Sequence, residues 1–355
     1  MAQAEERRPA SGWARKRAAR VPDPQSLPAQ IVEAVSRRRR LLRRLGVLAS
    51  IAIIAVSAAI FVRTLMHIDV AHFRAAVAAT RSGQIALAFV FMAVSYLALT
   101  GYDGLALRHL ALKIPYRLTA TASFTSYAAS FTLGFPLITA AAIRYWVYAP
   151  AGLTAGNIAS LTVVAGITFW LGLGLIVGTG FLISPQAVSE INHFHPLANI
   201  LIGLAILGVL AAYIGWIAYM GRRGGAVIAN FRLPGVMTTL GQTALGVIDV
   251  CAASATLYVL LPKAATIGFP TFATIYSFGA MLGIASNSPG GLGVFEATIL
   301  QAVGGDYDAL LVSLLLFRAI YYVVPFLSAM ALLGGLETFR RWRSIREAMT
   351  ASSQE

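Results

Sequence analysis

Residues 196–221 read PLANILIGLAILGVLAAYIGWIAYMG and contain no Asp, Glu, Lys or Arg. A helix needs about 20 apolar residues to cross the hydrocarbon core of a bilayer, so this run is long enough to span it. Residues 145–189 and 264–295 also lack all four charged residue types. The whole chain is 58% hydrophobic and 12% charged, whereas about a quarter of the residues of a soluble domain are charged. The pattern predicts an all-α integral membrane protein.

The net charge of +14 is concentrated in the amino-terminal segment. Residues 1–44 hold 12 Lys and Arg against 4 Asp and Glu, which accounts for +8 of the total. This basic segment directly precedes an apolar run, as is typical of the cytoplasmic flank of a membrane helix. We predict a disordered basic cytoplasmic tail and surface helix over 1–44, a membrane domain over 45–340 and a short cytoplasmic tail over 341–355. No basic folded surface for nucleic acid is visible, and a single cysteine, Cys251, provides no disulfide framework.

Six full transmembrane helices are predicted over residues 45–65, 84–107, 153–183, 197–220, 236–261 and 309–336. Two further apolar regions, 118–143 and 264–304, are interrupted at Gly134-Phe135-Pro136 and at Ser288-Pro289-Gly290-Gly291. Irregular backbone is tolerated at membrane depth only inside protein or beside a wet cavity. We therefore interpret both regions as re-entrant or broken hairpins, with eight full spans as the alternative.

Loop charges favour the six-span topology. In that topology most Lys and Arg of the short loops lie in the cytoplasm, as the positive-inside rule requires. Both termini are then cytoplasmic in a multi-pass protein of the bacterial inner membrane. Paired Gly/Pro interruptions in two halves of a chain are typical of transporters, so the breaks also suggest an inverted repeat.

Few ionisable side chains lie within the apolar regions, where each charge costs about 2.5–3.5 kcal/mol on insertion scales. Asp249 and Arg318 lie near the middles of their spans, and we interpret them either as an ion pair between helices or as substrate ligands. Arg144 and Glu296 follow the two breaks, where a functional role is favoured. Asp103 is interpreted as a helix end at the membrane interface.

The charges are predicted to line one polar cavity that binds a lipid head group. Arg144 would hold a phosphate through its planar fork of donors, and Glu296, helped by Asp249, would take an ammonium. Backbone N–H groups of the glycine turn would add neutral donors. The turn lacks the Gly-Lys-Ser/Thr ending of a nucleotide loop, and we expect no metal and no cofactor. The predicted substrate-binding residues are Arg144, Tyr145, Asp249, Ser288, Gly290, Gly291, Gly293, Glu296 and Arg318.

Two motifs in the chain carry a family resemblance. Residues 131–139 read FTLGFPLIT and continue through AIRYWVY at 142–148; residues 288–296 read SPGGLGVFE. In this order they resemble the membrane half of the lysylphosphatidylglycerol synthetase/flippase family, the multiple peptide resistance factors, which confer resistance to antimicrobial peptides. The chain departs from the family's usual Gly-Gly and Arg-Tyr-Arg, since it has Ala141-Ala142 and Arg144-Tyr145-Trp146.

The resemblance implies a lipid flippase that moves an aminoacylated phosphatidylglycerol, or another polar phospholipid, to the outer leaflet. In the family a soluble domain makes the lipid. We expect no enzymatic activity here, because the synthase domain is not visible in the sequence. The alternative is a non-transporting membrane subunit that docks a lipid-modifying enzyme. The expected partner is membrane phospholipid; a separately encoded lipid-modifying enzyme and a homo-oligomer remain open.

Overall fold

The computed structural model describes residues 80–134, 136–223, 227–228, 231–232, 234–262, 265–286 and 289–352. The described chain consists of helices and the loops between them, apart from a two-stranded antiparallel ribbon, β1 (Val227–Ile228) and β2 (Phe231–Arg232). The helices are α1 (Ser82–His109), α2 (Tyr116–Leu133), α3 (Pro136–Tyr148), α4 (Ala155–Ile183), α5 (Pro185–Asn192), α6 (Pro196–Arg222), α7 (Val236–Tyr258), α8 (Phe269–Ala285), α9 (Val294–Val303), α10 (Tyr307–Arg318) and α11 (Val324–Ser352).

Five helical segments are long and apolar enough to cross a membrane within the described residues. They are α1, α4, α6, α7 and the segment Tyr307–Phe339, in which a π-helical turn, Ala319–Val323, joins α10 to α11. These five coincide with five of the six predicted spans, and the prediction of an all-α integral membrane protein is confirmed. The sixth predicted span, 45–65, and the tail 1–44 lie outside the described residues. The helix α11 continues into the predicted tail 341–355, as far as Ser352.

The first interrupted region folds as a helical hairpin of α2 and α3. The helix α2 ends at Gly134, whose φ of 82° and ψ of −175° suit a residue without a Cβ. Pro136 begins α3, where its missing N–H costs nothing because the first helical N–H has no intrahelical partner. The Thr139 hydroxyl donates to the Gly134 carbonyl oxygen at 2.9 Å, so the break is bonded internally. The two helices pack against each other, which confirms the predicted break.

The second interrupted region forms a hairpin of α8 and α9 around the turn Pro289–Gly291. The φ angles of Gly290, Gly291 and Gly293 are 61°, 68° and 84°, in the region that favours glycine. On α8, Gly283 lies so close that an added Cβ would be 3.2 Å from the Gly291 Cα atom. This agrees with the packing role that the GxxxG spacing of Gly279 and Gly283 predicts.

The order span, broken hairpin, span occurs twice along the described chain. The first unit is α1, the α2–α3 hairpin and α4; the second is α7, the α8–α9 hairpin and α10–α11. Packing is reciprocal, because α2 contacts both α1 and α11 while α8 contacts both α7 and α4. Gln84, near the start of α1, donates to the carbonyl oxygen of Val259 just after α7, and Leu105, near the end of α1, lies beside Gly241 near the start of α7. The helices α1 and α7 therefore run antiparallel, as the predicted inverted repeat requires.

Glycines allow a close helix crossing between α4 and α7. A Cβ on Gly172 would lie 2.1 Å from the Gly246 carbonyl carbon, and one on Gly246 would lie 2.5 Å from the Thr168 carbonyl oxygen. Small residues let membrane helices approach closely enough for dispersion and backbone contacts to hold them together. The helix α7 thus packs tightly against α4 on one side while it contacts α1 on another. Asp103 of α1 and Asp249 of α7 are both buried in the bundle.

Candidate functional site

The two hairpin breaks meet in the folded chain. A Cβ on Gly290 would be 3.3 Å from the Phe131 carbonyl oxygen and 3.8 Å from that of Thr132. The carboxyl end of α2, just before its break at Gly134, therefore lies against the glycine turn of the second hairpin. We call this place, formed by residues 131–134, 289–293, Glu296 and Arg318, the hairpin junction.

Arg318 and Glu296 hold the glycine turn in shape. Arg318 Nε donates to Glu296 Oε1 at 2.6 Å, and its Nη2 forms an ion pair with the same carboxylate oxygen. Arg318 Nη1 donates to the Gly290 carbonyl oxygen at 2.5 Å. The other carboxylate oxygen, Glu296 Oε2, accepts from the Gly293 N–H at 2.8 Å and so caps the amino terminus of α9. The side chains of Arg318 and Glu296 are 13% and 19% exposed, so both remain within reach of a ligand.

These contacts correct two expectations about the second hairpin. Of the two alternatives for Arg318 and Asp249, the ion pair between them is wrong, because Arg318 pairs with Glu296 of the preceding helix α9. The Gly293 N–H, expected to meet a head group, already donates to Glu296. Ser288 lies outside the described residues.

Arg144 forms a second ion pair, deep inside the first unit. Its Nη2 and Nε donate to the two oxygens of Asp103 at 2.7 and 2.9 Å, a bidentate arrangement between α3 and α1. The guanidinium lies 4.9 Å from the centre of the Tyr127 ring. The side chains of Arg144 and Asp103 are 1% and 0% exposed. The interpretation of Asp103 as an interfacial helix end is wrong, and in this conformation Arg144 cannot reach a lipid phosphate because Asp103 occupies its donor fork.

Asp249 sits among hydroxyl groups, without an ion-pair partner among the described residues. Ser95 Oγ donates to Asp249 Oδ1 at 2.5 Å, and the Tyr102 hydroxyl donates to Oδ2 at 2.8 Å. Ser95 Oγ also shares a hydrogen bond of 2.7 Å with the Tyr321 hydroxyl, in the π-helical turn. Asp249 is 3% exposed. Its neighbours could not be identified from the sequence, because serine and tyrosine are common in apolar helices.

The four predicted charges therefore occupy three places, not one shared cavity. Aromatic rings connect these places: Tyr127, beneath Arg144, contacts Phe131, and Phe131 stacks on Tyr321. Tyr321 contacts Tyr322, whose ring centre lies 4.5 Å from the Arg318 guanidinium. Tyr145, also a predicted ligand, packs against the hydrophobic cluster around Val147 and Leu161.

Comparison with known proteins gives the chain relatives of similar length. No family model matches it. It is 34% identical over 280 residues to uncharacterized protein slr0712 of Synechocystis, a match that covers 76% of this chain and 85% of that protein. The chain belongs to the slr0712 family. It is also 25% identical over 241 residues to inner membrane protein YbhN of Escherichia coli, covering 67% of this chain and 75% of YbhN.

A further relative of the chain is named for lipid chemistry. The phosphatidylglycerol lysyltransferase of Staphylococcus haemolyticus is 25% identical over 305 residues, which covers 83% of this chain but 34% of that enzyme. The family resemblance seen in the two motifs is thus confirmed as a distant similarity. Together with the apolar spans, these relatives establish a membrane-embedded protein related to proteins of lipid modification.

Proposed function

We propose that the protein is a lipid flippase, which moves a polar phospholipid to the outer leaflet with its head group passing the hairpin junction. The observation that carries the proposal is the meeting of two broken helices at a partly exposed pair of opposite charges. Broken helices at membrane depth are typical of transporter binding sites, because their irregular backbone needs protein or a hydrated cavity around it. Charged side chains at such a depth are costly and are usually functional.

The charges at the junction suit a head group that carries both signs. Arg318 offers donors for a phosphate, and Glu296 offers an acceptor for an ammonium group. In the structure the two residues satisfy each other, so a zwitterionic or aminoacylated head group would replace one ion pair by two. Such an exchange leaves no buried charge unpaired, which limits the cost of opening the site. Similarity to a phosphatidylglycerol lysyltransferase makes aminoacylated phosphatidylglycerol the preferred substrate.

The backbone of the glycine turn adds a further reason to place the head group here. An added Cβ on Gly293 would meet no described atom within 4 Å, so a ligand can approach the backbone of the turn there. The turn directly precedes the amino terminus of α9, where the helix dipole favours an anion. Arg144 and Asp103, in contrast, are assigned to stabilising the fold, because both are buried and fully paired.

Purified protein in lipid vesicles tests the proposal. Phospholipids with a fluorophore on one acyl chain report movement between leaflets when a membrane-impermeant reductant quenches the outer label. We expect the wild-type protein, without any partner protein, to move lysyl-phosphatidylglycerol faster than phosphatidylglycerol. The proposal would be contradicted if vesicles with folded protein moved every lipid between leaflets only as fast as protein-free vesicles do. That result would favour a subunit that docks a lipid-modifying enzyme.

Variants of the junction refine the test. Glu296→Gln should slow the movement of lysyl-phosphatidylglycerol more than that of phosphatidylglycerol, because only the former carries ammonium groups. Arg318→Lys keeps the positive charge but loses the planar fork. A charged hydrogen bond contributes about 1.5–3 kcal/mol, so we expect Arg318→Lys to lose roughly tenfold to a hundredfold in rate for both lipids. Equal rates for both variants and the wild type would exclude the junction as the head-group site.

A further inference from the structure

The buried carboxyl group of Asp249 accepts hydrogen bonds only from hydroxyl groups among the described residues. Its two oxygens accept from Ser95 and Tyr102, which both lie on α1, whereas Asp249 belongs to α7. Among the described residues no Lys, Arg or His forms an ion pair with it, in contrast to the paired Asp103 and Glu296. An ionised carboxylate in an apolar interior without a counter-ion is costly, and it needs either a functional reason or a neutralising ligand.

A proton fits this site better than a metal ion. The hydroxyl oxygens contact the carboxylate oxygens directly, at 2.5 and 2.8 Å, so their hydrogens lie between the oxygen atoms. A metal ion would have to lie between them, with metal–oxygen distances of about 2.0–2.6 Å. In the part of the chain that the structure describes, no group of three or more His, Cys, Asp or Glu is placed to hold a metal.

Binding of a proton would reverse a short chain of hydrogen bonds. Ser95 has a single hydroxyl hydrogen, which it donates to Asp249 Oδ1, so Tyr321 must be the donor in the Ser95–Tyr321 hydrogen bond. A protonated Asp249 would donate to Ser95, and Ser95 would then donate to Tyr321. Tyr321 would lose its acceptor, and its hydroxyl hydrogen would have to turn elsewhere.

Tyr321 connects this change to the hairpin junction. It belongs to the π-helical turn that follows Arg318, and its ring stacks on Phe131 at the end of α2. The Tyr96 hydroxyl donates to the Tyr321 backbone oxygen at 3.2 Å, so α1 holds this turn by its backbone as well. Single π-helical turns within α-helices are frequent at functional sites.

We propose that Asp249 is a proton-binding site, and that its protonation is transmitted through Ser95 and Tyr321 to the Arg318–Glu296 pair of the junction. This inference rests on the proposed transport function, because proton binding at Asp249 would supply the energy for lipid movement. Proton binding at Asp249 opens or closes the junction by moving the π-helical turn. Lipid movement is thereby linked to the proton gradient across the membrane.

The surroundings of Asp249 leave the proton few other places to bind. The side chains that interact electrostatically with Asp249 from the elements packed around it are the tyrosines Tyr96 and Tyr102 of α1, Tyr127 of α2, Tyr276 of α8 and Tyr321 of the π-helical turn. The helices α4 and α6, which also pack on α7, have no Asp, Glu, Lys, Arg or His between residues 155 and 183 or between 196 and 221. The charged residue on α10 nearest the turn is Arg318, which Glu296 neutralises.

Infrared spectroscopy of the purified protein tests proton binding without any transport. A carboxylic acid C=O band should appear as the pH falls in the wild type, persist in Tyr321→Phe and be missing from Asp249→Asn. Absence of that difference between the wild type and Asp249→Asn would overturn the proposal. Should Asp249→Asn fail to fold, Asp249→Glu replaces it, with the band expected to shift in frequency.

Vesicles with a tenfold proton gradient test the coupling. At one proton per lipid, the gradient should shift the steady-state distribution of fluorescent lysyl-phosphatidylglycerol between leaflets by up to about tenfold in the wild type. Asp249→Glu should retain a shift, whereas Asp249→Asn and Tyr321→Phe should show the same distribution with and without the gradient. A wild type that moves lipid but ignores the gradient would overturn the coupling. A wild type that moves no lipid would instead overturn the proposed function, and the infrared result would still decide on the proton site.

Discussion

Replacing Arg144 by Gln should destabilise the fold rather than disable a lipid site. The change removes both donors to Asp103, 2.7 and 2.9 Å away, and leaves the Asp103 carboxylate fully buried without a counter-ion. It also removes the cation over the Tyr127 ring. Breaking a buried ion pair by removing one partner costs about 3–5 kcal/mol, which is roughly two to four orders of magnitude in the folding equilibrium.

A double-mutant cycle separates this structural role from a role in lipid binding. Asp103→Asn combined with Arg144→Gln removes both charges and keeps side chains that can hydrogen-bond, so most of the lost stability should return. Unfolding in mixed detergent micelles, followed by tryptophan fluorescence, gives the four free energies of unfolding. We expect each single variant to be less stable than the double variant. An Arg144→Gln protein with wild-type stability and no lipid movement would refute this reasoning and return Arg144 to the lipid site.

Two further predictions address packing and topology. Gly246→Ala should lower the midpoint of thermal unfolding, because its Cβ would lie 2.5 Å from the Thr168 carbonyl oxygen, whereas Gly166→Ala, with no atom within 4 Å of its Cβ, serves as the matched control. Equal midpoints for the two alanine variants would contradict the close crossing of α4 and α7. For topology, a cysteine introduced at Glu190 in a cysteine-free background should react with an impermeant thiol reagent added outside cells, and one at Arg222 should react only after the membrane is opened. The reverse pattern would favour eight full spans.

Much of the fold follows from local features of the sequence. The spans are visible because apolar runs of sufficient length have few alternatives in a bilayer. Both hairpin breaks can be predicted from the sequence, because each has a glycine close to a proline. The glycines, Gly134 and Gly290, adopt positive φ angles in the structure, and this conformational preference is local. The two hairpins contact each other at their breaks, through residues more than 150 positions apart in the sequence. No local sequence pattern predicts a contact between residues so far apart.

The pairing of charges shows the limit of sequence reasoning most clearly. The sequence identifies Arg144, Glu296, Asp249 and Arg318 as costly charges, but their partners depend on which helix faces which. Asp103 lies six residues before the end of α1 and resembles an interfacial residue in the sequence, because its partner Arg144 comes from α3. Asp249 accepts from hydroxyl groups and does not pair with Arg318, because Arg318 of α10 donates to the Gly290 carbonyl oxygen of the glycine turn.

Photochemical labelling by a head group tests the central claim most directly. A phosphatidylglycerol with a photoreactive group on its head group would be reconstituted with the wild-type protein, irradiated, and the attached peptides identified by mass spectrometry. Head-group passage at the junction predicts labels within residues 131–138 and 289–296, and their loss when excess lysyl-phosphatidylglycerol is present. Labels confined to the exposed outer face of α6, around Val209 and Trp216, and unaffected by that competitor would contradict it.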